Sequence, residues 1–387
     1  TCGPNCQPTR AALMSGQYGT RTGIYTVGDI DRFDWRSRPL RPVDNVTEMP
    51  LDRILLPAAL KSGGYSTAMF GKWHLGNNGD HHPLKRGFDE GFVTAGKHFD
   101  FVTEPRREIP EGTYLADYLT DCAVDFIRRH RSEPFFLYLT HFGVHSPLQA
   151  KPELIERFRN KPGVGGHRDP VYAAMIYSVD ESVGRIRRTL KELDLDSTTL
   201  VIFTSDNGGV GGYRRLEVTD KEHTDNSPLR GGKGMLYEGG IRVPYIACWP
   251  GVVPPGRISD SAINSVDLYP TLLQITGSEA PPGMKLDGTG YAEFLKGLSP
   301  PEKRPPLYWH FPGYLGSSEN TWRTTPAGAI RDGDWKLIEP HRSVEAGGTT
   351  ELFRITADPD ESQNLAETQP ERVQTMRKSL DEWWKPE

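Results

Sequence analysis

Phe135-Phe136-Leu137-Tyr138-Leu139 is an uninterrupted apolar run between Pro134 and Thr140. Too short for a helix and rich in aromatic side chains, it predicts a strand buried on both faces of a parallel sheet. It runs into Thr140-His141-Phe142-Gly143-Val144-His145-Ser146-Pro147. Histidine therefore stands beyond the carboxyl end of a strand, where open α/β sheets bind their ligands.

The same arrangement recurs outward from this run. Upstream, residues 113–131 carry Leu115, Tyr118, Leu119, Cys122, Val124, Phe126 and Ile127 at helical spacing. Residues 51–62 read as a helix stopped by Gly63-Gly64. Tyr65 to Phe70 reads as a buried strand that runs into Gly71-Lys72-Trp73-His74-Leu75-Gly76. Downstream, residues 170–193 predict a long helix, and Leu200-Val201-Ile202-Phe203-Thr204 a strand ending in Ser205-Asp206-Asn207-Gly208-Gly209. A glycine-rich basic loop, Leu229-Arg230-Gly231-Gly232-Lys233-Gly234, precedes the strand Tyr245-Ile246-Ala247-Cys248-Trp249, and residues 266–276 read as a helix. Residues 26–50 and 77–112 read as loop-rich. Residues 298–306 are Pro-rich and mark a boundary. Beyond it, short strands at 307–311, 327–330, 335–338 and 351–353 are joined by turns such as Asp332-Gly333, and a helix follows at 369–385. The fold class is α/β, a mostly parallel central sheet flanked by helices with a small C-terminal antiparallel sheet and helix. Residues 1–300 are expected to form an N-terminal α/β domain and residues 301–387 a small α+β subdomain.

Among 387 residues, 36% are hydrophobic and 25% charged, with a net charge of −5 dispersed along the chain. This composition suits a globular protein and offers no basic face for nucleic acid. No apolar run approaches the ~18 residues of a membrane span. Of the four cysteines, Cys2 and Cys6 are near enough to form a small bridge; Cys122 and Cys248 lie in apolar surroundings and read as core.

Cys6-Gln7-Pro8-Thr9-Arg10 opens a helix through Ala11-Ala12-Leu13-Met14-Ser15-Gly16. Proline costs nothing in a first turn, and a helix N-terminus favours negative charge. Taken alone, the segment reads first as a capped helix with a buried thiol. The strand ends supply what a nucleophile at residue 6 needs. Arg10, Lys72 and Lys233 suit a charged oxyanion, His74 and His145 proton transfer, and Asp206 and Asn207 a hard divalent cation. Singly, each residue has a structural explanation; together they fall at one edge of one sheet.

These segments resemble the signatures of the type I, formylglycine-dependent sulfatases, arylsulfatase-like members of the alkaline phosphatase superfamily. The pattern there is Cys or Ser, any residue, Pro, Ser or Thr, Arg, then a small-residue helix ending in Gly. Gly71 to Gly76, Thr204 to Gly209, Leu229 to Gly234 with Glu238-Gly239-Gly240-Ile241-Arg242-Val243-Pro244, and Glu351-Leu352-Phe353 through Asp358 to Ala366 follow in the family's order. The resemblance implies that a formylglycine-generating enzyme converts Cys6 to formylglycine. One hydroxyl of its hydrate attacks sulfur to give a sulfo-enzyme intermediate. It implies that His145, helped by Lys233, protonates the leaving alcohol, that His74 takes the proton from the second hydroxyl as sulfate leaves, and that Arg10 and Lys72 hold the site. It implies Ca²⁺ on Asp206, Asn207 and the residue-6 oxygens. The family also carries adjacent acidic metal ligands on a strand before the cysteine motif, so the intact protein is expected to carry such a segment upstream of Thr1.

The same fold hosts phosphate and phosphonate ester hydrolases, and a non-catalytic binding relative would keep it too. The motif set favours sulfate esters. The loop at His81-His82, residues 98–107, residues 214–226 and Trp309-His310-Phe311-Pro312-Gly313-Tyr314 are candidate substrate walls. Arg230, His223, Trp309 and His310 are the candidate substrate contacts. Aromatic rings beside cations suit a sulfated sugar. Polymeric sulfated glycans lie outside cells, which points to the periplasm or the exterior.

Overall fold

In the computed structural model, the 135–139 run is a strand at the edge of a three-stranded parallel sheet. The structure describes residues 1–32, 34–211, 224–298, 304–318, 321–341 and 348–384. The elements of the larger part are α1 (Cys6–Ser15), α2 (Gly19–Thr22), α3 (Leu56–Ser62), β1 (Ser66–Gly71), β2 (Glu90–Val93), α4 (Leu115–Arg129), β3 (Phe135–Thr140), α5 (Pro152–Arg159), α6 (Pro170–Glu192), β4 (Val201–Thr204), α7 (Glu238–Ile241), β5 (Tyr245–Cys248), α8 (Leu268–Thr276) and α9 (Ala292–Leu295). The smaller part holds β6 (Leu307–Phe311), β7 (Leu315–Ser318), β8 (Thr321–Thr324), β9 (Ala327–Asp332), β10 (Trp335–Pro340), β11 (Glu351–Arg354) and α10 (Pro370–Trp384). Among the described residues, no helix is long and apolar enough to cross a membrane.

The parallel sheet has the order β2-β1-β3, with Gly71 opposite Thr140 at the carboxyl edge. Among the described residues β3 has one hydrogen-bonded neighbour, and Phe135 to Leu139 are half-buried rather than covered on both faces. β4 pairs antiparallel with β5 and not with the parallel strands. A run of apolar residues carries no information about pairing direction. The glycine-rich segment before β5 turns the chain back beside β4, with Gly208 N–H bonded to the Gly240 carbonyl. The C-terminal sheet is antiparallel, β11-β10-β9-β6, as its turn residues predict, and β7 and β8 form a separate two-stranded hairpin.

α4 forms because its apolar residues recur at helical spacing. Leu115, Leu119 and Phe126 pack on Ala68 and Phe70 of β1 and Phe92 of β2. Each large side chain buried there contributes roughly 1.5–3 kcal/mol relative to exposure. α1 is unusual in burying all ten of its residues. It ends at Gly16, whose φ of 66° is the left-handed conformation that a helix C-cap needs.

All four cysteines are free, so Cys2 and Cys6 are not bridged. Both are buried, and burial pushes the Cys2 thiol up to about 12. Cys122 and Cys248 are only half-buried, at the margin of the core rather than inside it.

Candidate active site

Three strand ends and one helix start meet at Cys6, which is the first residue of α1 and 3% exposed. Lys72 follows β1 directly. Gly71 lets it do so: its φ is 116°, and a Cβ there would lie 2.1 Å from the Thr140 carbonyl oxygen. The close approach holds Lys72 N–H on that oxygen at 2.9 Å. The Lys72 ammonium then reaches the Cys6 sulfur at 3.3 Å.

Arg10, one turn into α1, ties this strand end to the next. Its Nε and Nη2 both lie 2.8 Å from Asp206 Oδ2, and Nη1 donates to the Lys72 carbonyl. Burial alone would raise the Asp206 carboxyl, but Arg10, then Lys72 and Lys233, hold it below the ordinary carboxylate range. Burial lowers the Lys72 ammonium, and Arg10 adds to the effect. Three cationic side chains therefore surround one carboxylate, an excess of positive charge suited to an anion.

The two histidines are neutral in this field. Burial, then the charges of Lys72 and Arg10, push His74 down to about 3. Burial, then Lys233, push His145 down to about 4. His74 has a φ of 67°, a conformation costing roughly 1–3 kcal/mol for a non-glycine residue. Fully buried Trp73 and Leu75 on either side hold it there. His145 Nδ1 lies 2.7 Å from the Ser146 carbonyl oxygen, which only accepts, so Nδ1 carries the proton and Nε2 is the free nitrogen.

Lys233 belongs to a loop that packs against the Asp206 turn. Its N–H donates to the Gly209 carbonyl at 2.8 Å, and Gly234 N–H donates to the Pro4 carbonyl at 2.7 Å. Gly208 leaves no room for a side chain, since a Cβ would sit 1.8 Å from the Gly239 carbonyl oxygen. Asn207 Oδ1 is buried without a partner beside Asp206. An orphaned amide oxygen next to a carboxylate fits a hard cation, which takes six to eight oxygen donors in the case of Ca²⁺. Among the described residues, no group of three His, Cys, Asp or Glu side chains comes together to complete such a set.

The structure thus brings together Cys6, Arg10, Lys72, His74, His145, Asp206, Asn207 and Lys233. The four candidate substrate contacts are placed otherwise. Trp309 is 4% exposed in the C-terminal core, its Nε1 donating to the Thr1 carbonyl. Arg230 lies 3.9 Å over the Tyr237 ring and pairs with Glu351 at 3.0 Å, facing the C-terminal sheet. His310 packs among Tyr25, His341 and Trp384, beside a cavity of about 1060 Å³ that none of the clustered residues lines. His223 and most of the 214–226 wall lie outside the described residues. Of the other walls, His82 is buried on the Glu104 carbonyl. His98, 1% exposed, holds the His145 carbonyl through Nε2 at 2.8 Å. That support of His145 is invisible in the sequence, because 47 residues separate the two.

Comparison with known proteins agrees with this geometry. The sulfatase family profile matches residues 1–278, and the profile of the N-sulphoglucosamine sulphohydrolase C-terminal region matches residues 232–385. The pig (Sus scrofa) N-acetylgalactosamine-6-sulfatase is 34% identical over 310 residues, covering 74% of this chain and 56% of that protein. The chain thus spans little more than half the length of this relative. A sulfatase of Formosa agariphila is 31% identical over 447 aligned positions, covering 97% of this chain and 77% of its own. The crystal structure of Ps i-CgsB superposes with a TM-score of 0.80 at 28% identity, over 99% of this chain and 83% of that one. With a family profile across most of the chain and signature residues gathered at one sheet edge, the chain belongs to the type I sulfatase family.

Proposed function

We propose that the protein hydrolyses sulfate esters of a sulfated carbohydrate. The observation that carries this reading is the contact of Cys6 with Lys72 inside a ring of three cations and one carboxylate. A formylglycine made at residue 6 would supply, as its hydrate, an oxygen nucleophile and a second hydroxyl that permits release of sulfate. Asp206, Asn207 and the residue-6 oxygens would hold Ca²⁺, which supplies polarisation of sulfate oxygens.

The chain's own side chains account for the rest. Lys72 neutralises a sulfate oxygen, its partial desolvation strengthening that attraction, and Lys233 assists His145 at the leaving alcohol. Arg10 fixes Asp206 and the Lys72 backbone in one geometry. His145, once a bound anion lets Nε2 take up a proton from solvent, would pass that proton to the departing alcohol, with Nδ1–H anchored on Ser146. His74 takes up a proton as sulfate is released, because its own imidazole is neutral.

The carbohydrate assignment is supported by relatives. One is named for N-acetylgalactosamine 6-sulfate, and Ps i-CgsB was solved in complex with k-i-k-neocarrahexaose, at a TM-score of 0.79 to this chain. Action outside the cytoplasm follows from such a substrate.

The test is the mass of the peptide containing Cys6 from its native host, then paired assays. Conversion to formylglycine lowers the mass by roughly 18 Da relative to cysteine. The modified protein should cleave a sulfated sugar at least ~10²-fold better than the matching phosphate ester, a difference of about 2.7 kcal/mol. An unmodified Cys6 in the native host, or a preference for phosphate, overturns the reading.

A further inference from the structure

We propose that Lys336, with Glu238 and Glu361, is a positioning device for Lys233: a buried ion triad through which the C-terminal subdomain sets the catalytic loop. This rests on the sulfatase reading above for its consequence in turnover, though not for its geometry.

Lys336 projects from β10 and is wholly buried. Its ammonium lies 2.8 Å from Glu238 Oε1 and 2.8 Å from Glu361 Oε1. Neither glutamate side chain is more than 3% exposed. The second oxygen of Glu361 accepts the Glu238 backbone N–H at 2.7 Å. Glu361 is itself held at a φ of 53°, and its carbonyl accepts Arg230 Nη1 at 3.1 Å. Three fixed points of the C-terminal part thus grip both ends of the 230–238 loop.

From Glu238 the constraint reaches Lys233 without slack. Gly239 N–H donates to the Arg230 carbonyl at 2.8 Å, closing the loop on itself. A Cβ at Gly239 would lie 2.4 Å from the Gly231 carbonyl oxygen, so the loop strands touch backbone to backbone. Lys233 and Gly234 then donate to Gly209 and Pro4, the turns that carry Asp206 and Cys6. A buried ion group is rarely a source of net stability, and apolar residues of similar volume serve stability as well. What a charged trio adds is direction. An ammonium with two carboxylate partners, one of them also gripping a backbone N–H, admits one arrangement of the loop. Lys233 is the only charged side chain on the segment so fixed between Gly231 and Glu238.

The experiment uses the full chain with matured residue 6. Lys336→Met and Glu361→Gln are made in the native background and in a Lys233→Ala background, and kcat and KM are measured on a sulfate ester. We expect Lys336→Met to lower kcat about 30-fold with KM within about 3-fold, and Glu361→Gln to lower kcat about 5-fold. In the Lys233→Ala background, each should cost less than about 2-fold, because the group being positioned is gone. Equal losses in both backgrounds overturn the proposal, since a merely structural role adds independently. If Lys336→Met does not fold, the Glu361→Gln cycle decides alone. Amide hydrogen exchange gives a readout independent of turnover. The Lys233 and Gly234 amides should exchange about 10-fold faster in Glu361→Gln, with α4 unchanged. Unchanged protection at those amides overturns the proposal even if the protein proves not to be a sulfatase. Lack of turnover with altered protection overturns the sulfatase reading only.

Discussion

Replacing Arg10 by lysine keeps the charge and removes the geometry. Arg10 donates Nε to Asp206 Oδ2 and Nη1 to the Lys72 carbonyl, and Nη2 lies 2.8 Å from the same Asp206 oxygen. Lysine has one nitrogen and can keep one of these two hydrogen bonds. A hydrogen bond to a charged group is worth about 1.5–3 kcal/mol, so losing one, with the forked ion pair, costs about 3 kcal/mol. Retained charge and entering water return part of this, so we expect about 2 kcal/mol. Solvent screening gives little further relief, because the two side chains are 7% and 20% exposed. Arg36 is the internal control: it pairs with Asp31 at the same 2.8 Å, but both partners are about 60% exposed. Arg36→Lys should leave the urea midpoint essentially where it is. Urea unfolding of both variants, followed by fluorescence with m held in common, measures the difference. Equal shifts in midpoint for the two would refute the claim that burial and forked geometry make Arg10 the tie of the site.

Acid should destabilise the fold through its buried histidines. Burial pushes His141 down to about 4, His310 to about 3 and His341 to about 4. The unfolded chain, with histidine near 6.5, binds more protons than the folded one, so this stability is complete above about pH 6.5 and is lost as pH falls toward 4. At pH 5 each such histidine costs about 2 kcal/mol, and a urea midpoint that stays flat between pH 7 and pH 5 would show the histidines to be solvated. Gly208→Ala forces a Cβ to 1.8 Å from the Gly239 carbonyl oxygen, so the Asp206 turn or the 230–240 loop must move. We expect a loss above about 3 kcal/mol or failure to fold, and a variant unfolding at the native urea midpoint contradicts the packing described.

The fold was legible where periodicity is a local property. Five apolar residues after Pro134 announce β3, and the spacing of Leu115, Leu119 and Phe126 announces α4. β2 escaped because Glu90-Gly91-Phe92-Val93 is short and contains a glycine, which only its pairing with β1 makes a strand. The opposed directions of β4 and β5 escaped because direction is decided by the loop between them. The clustered residues were legible because strand ends in an α/β sheet gather on one edge. Trp309 reads in sequence equally as an aromatic wall or as core of the small sheet, and alternation along β6 decides for the core, with Leu307 and Phe311. Lys336 lies in the predicted 335–338 strand with nothing local to mark it. Only its partners, 98 and 25 residues away, make it a buried ion.

The protonation of the two clustered histidines follows from the same charge arrangement that would bind a substrate. Arg10, Lys72 and Lys233 leave two positive charges uncompensated by Asp206, and both imidazoles are kept neutral by burial and by those cations. An arriving sulfate ester brings a negative charge into that field. It offsets part of the repulsion that opposes an imidazolium, so a proton on His145 costs least when an anion is present. On the proposed role of His145, proton supply to a leaving alcohol would then be tied to occupancy without any moving part. The fixed geometry serves this coupling, since His145 is anchored on Ser146 through Nδ1 and braced by His98 at its carbonyl, leaving Nε2 as the one nitrogen free to act.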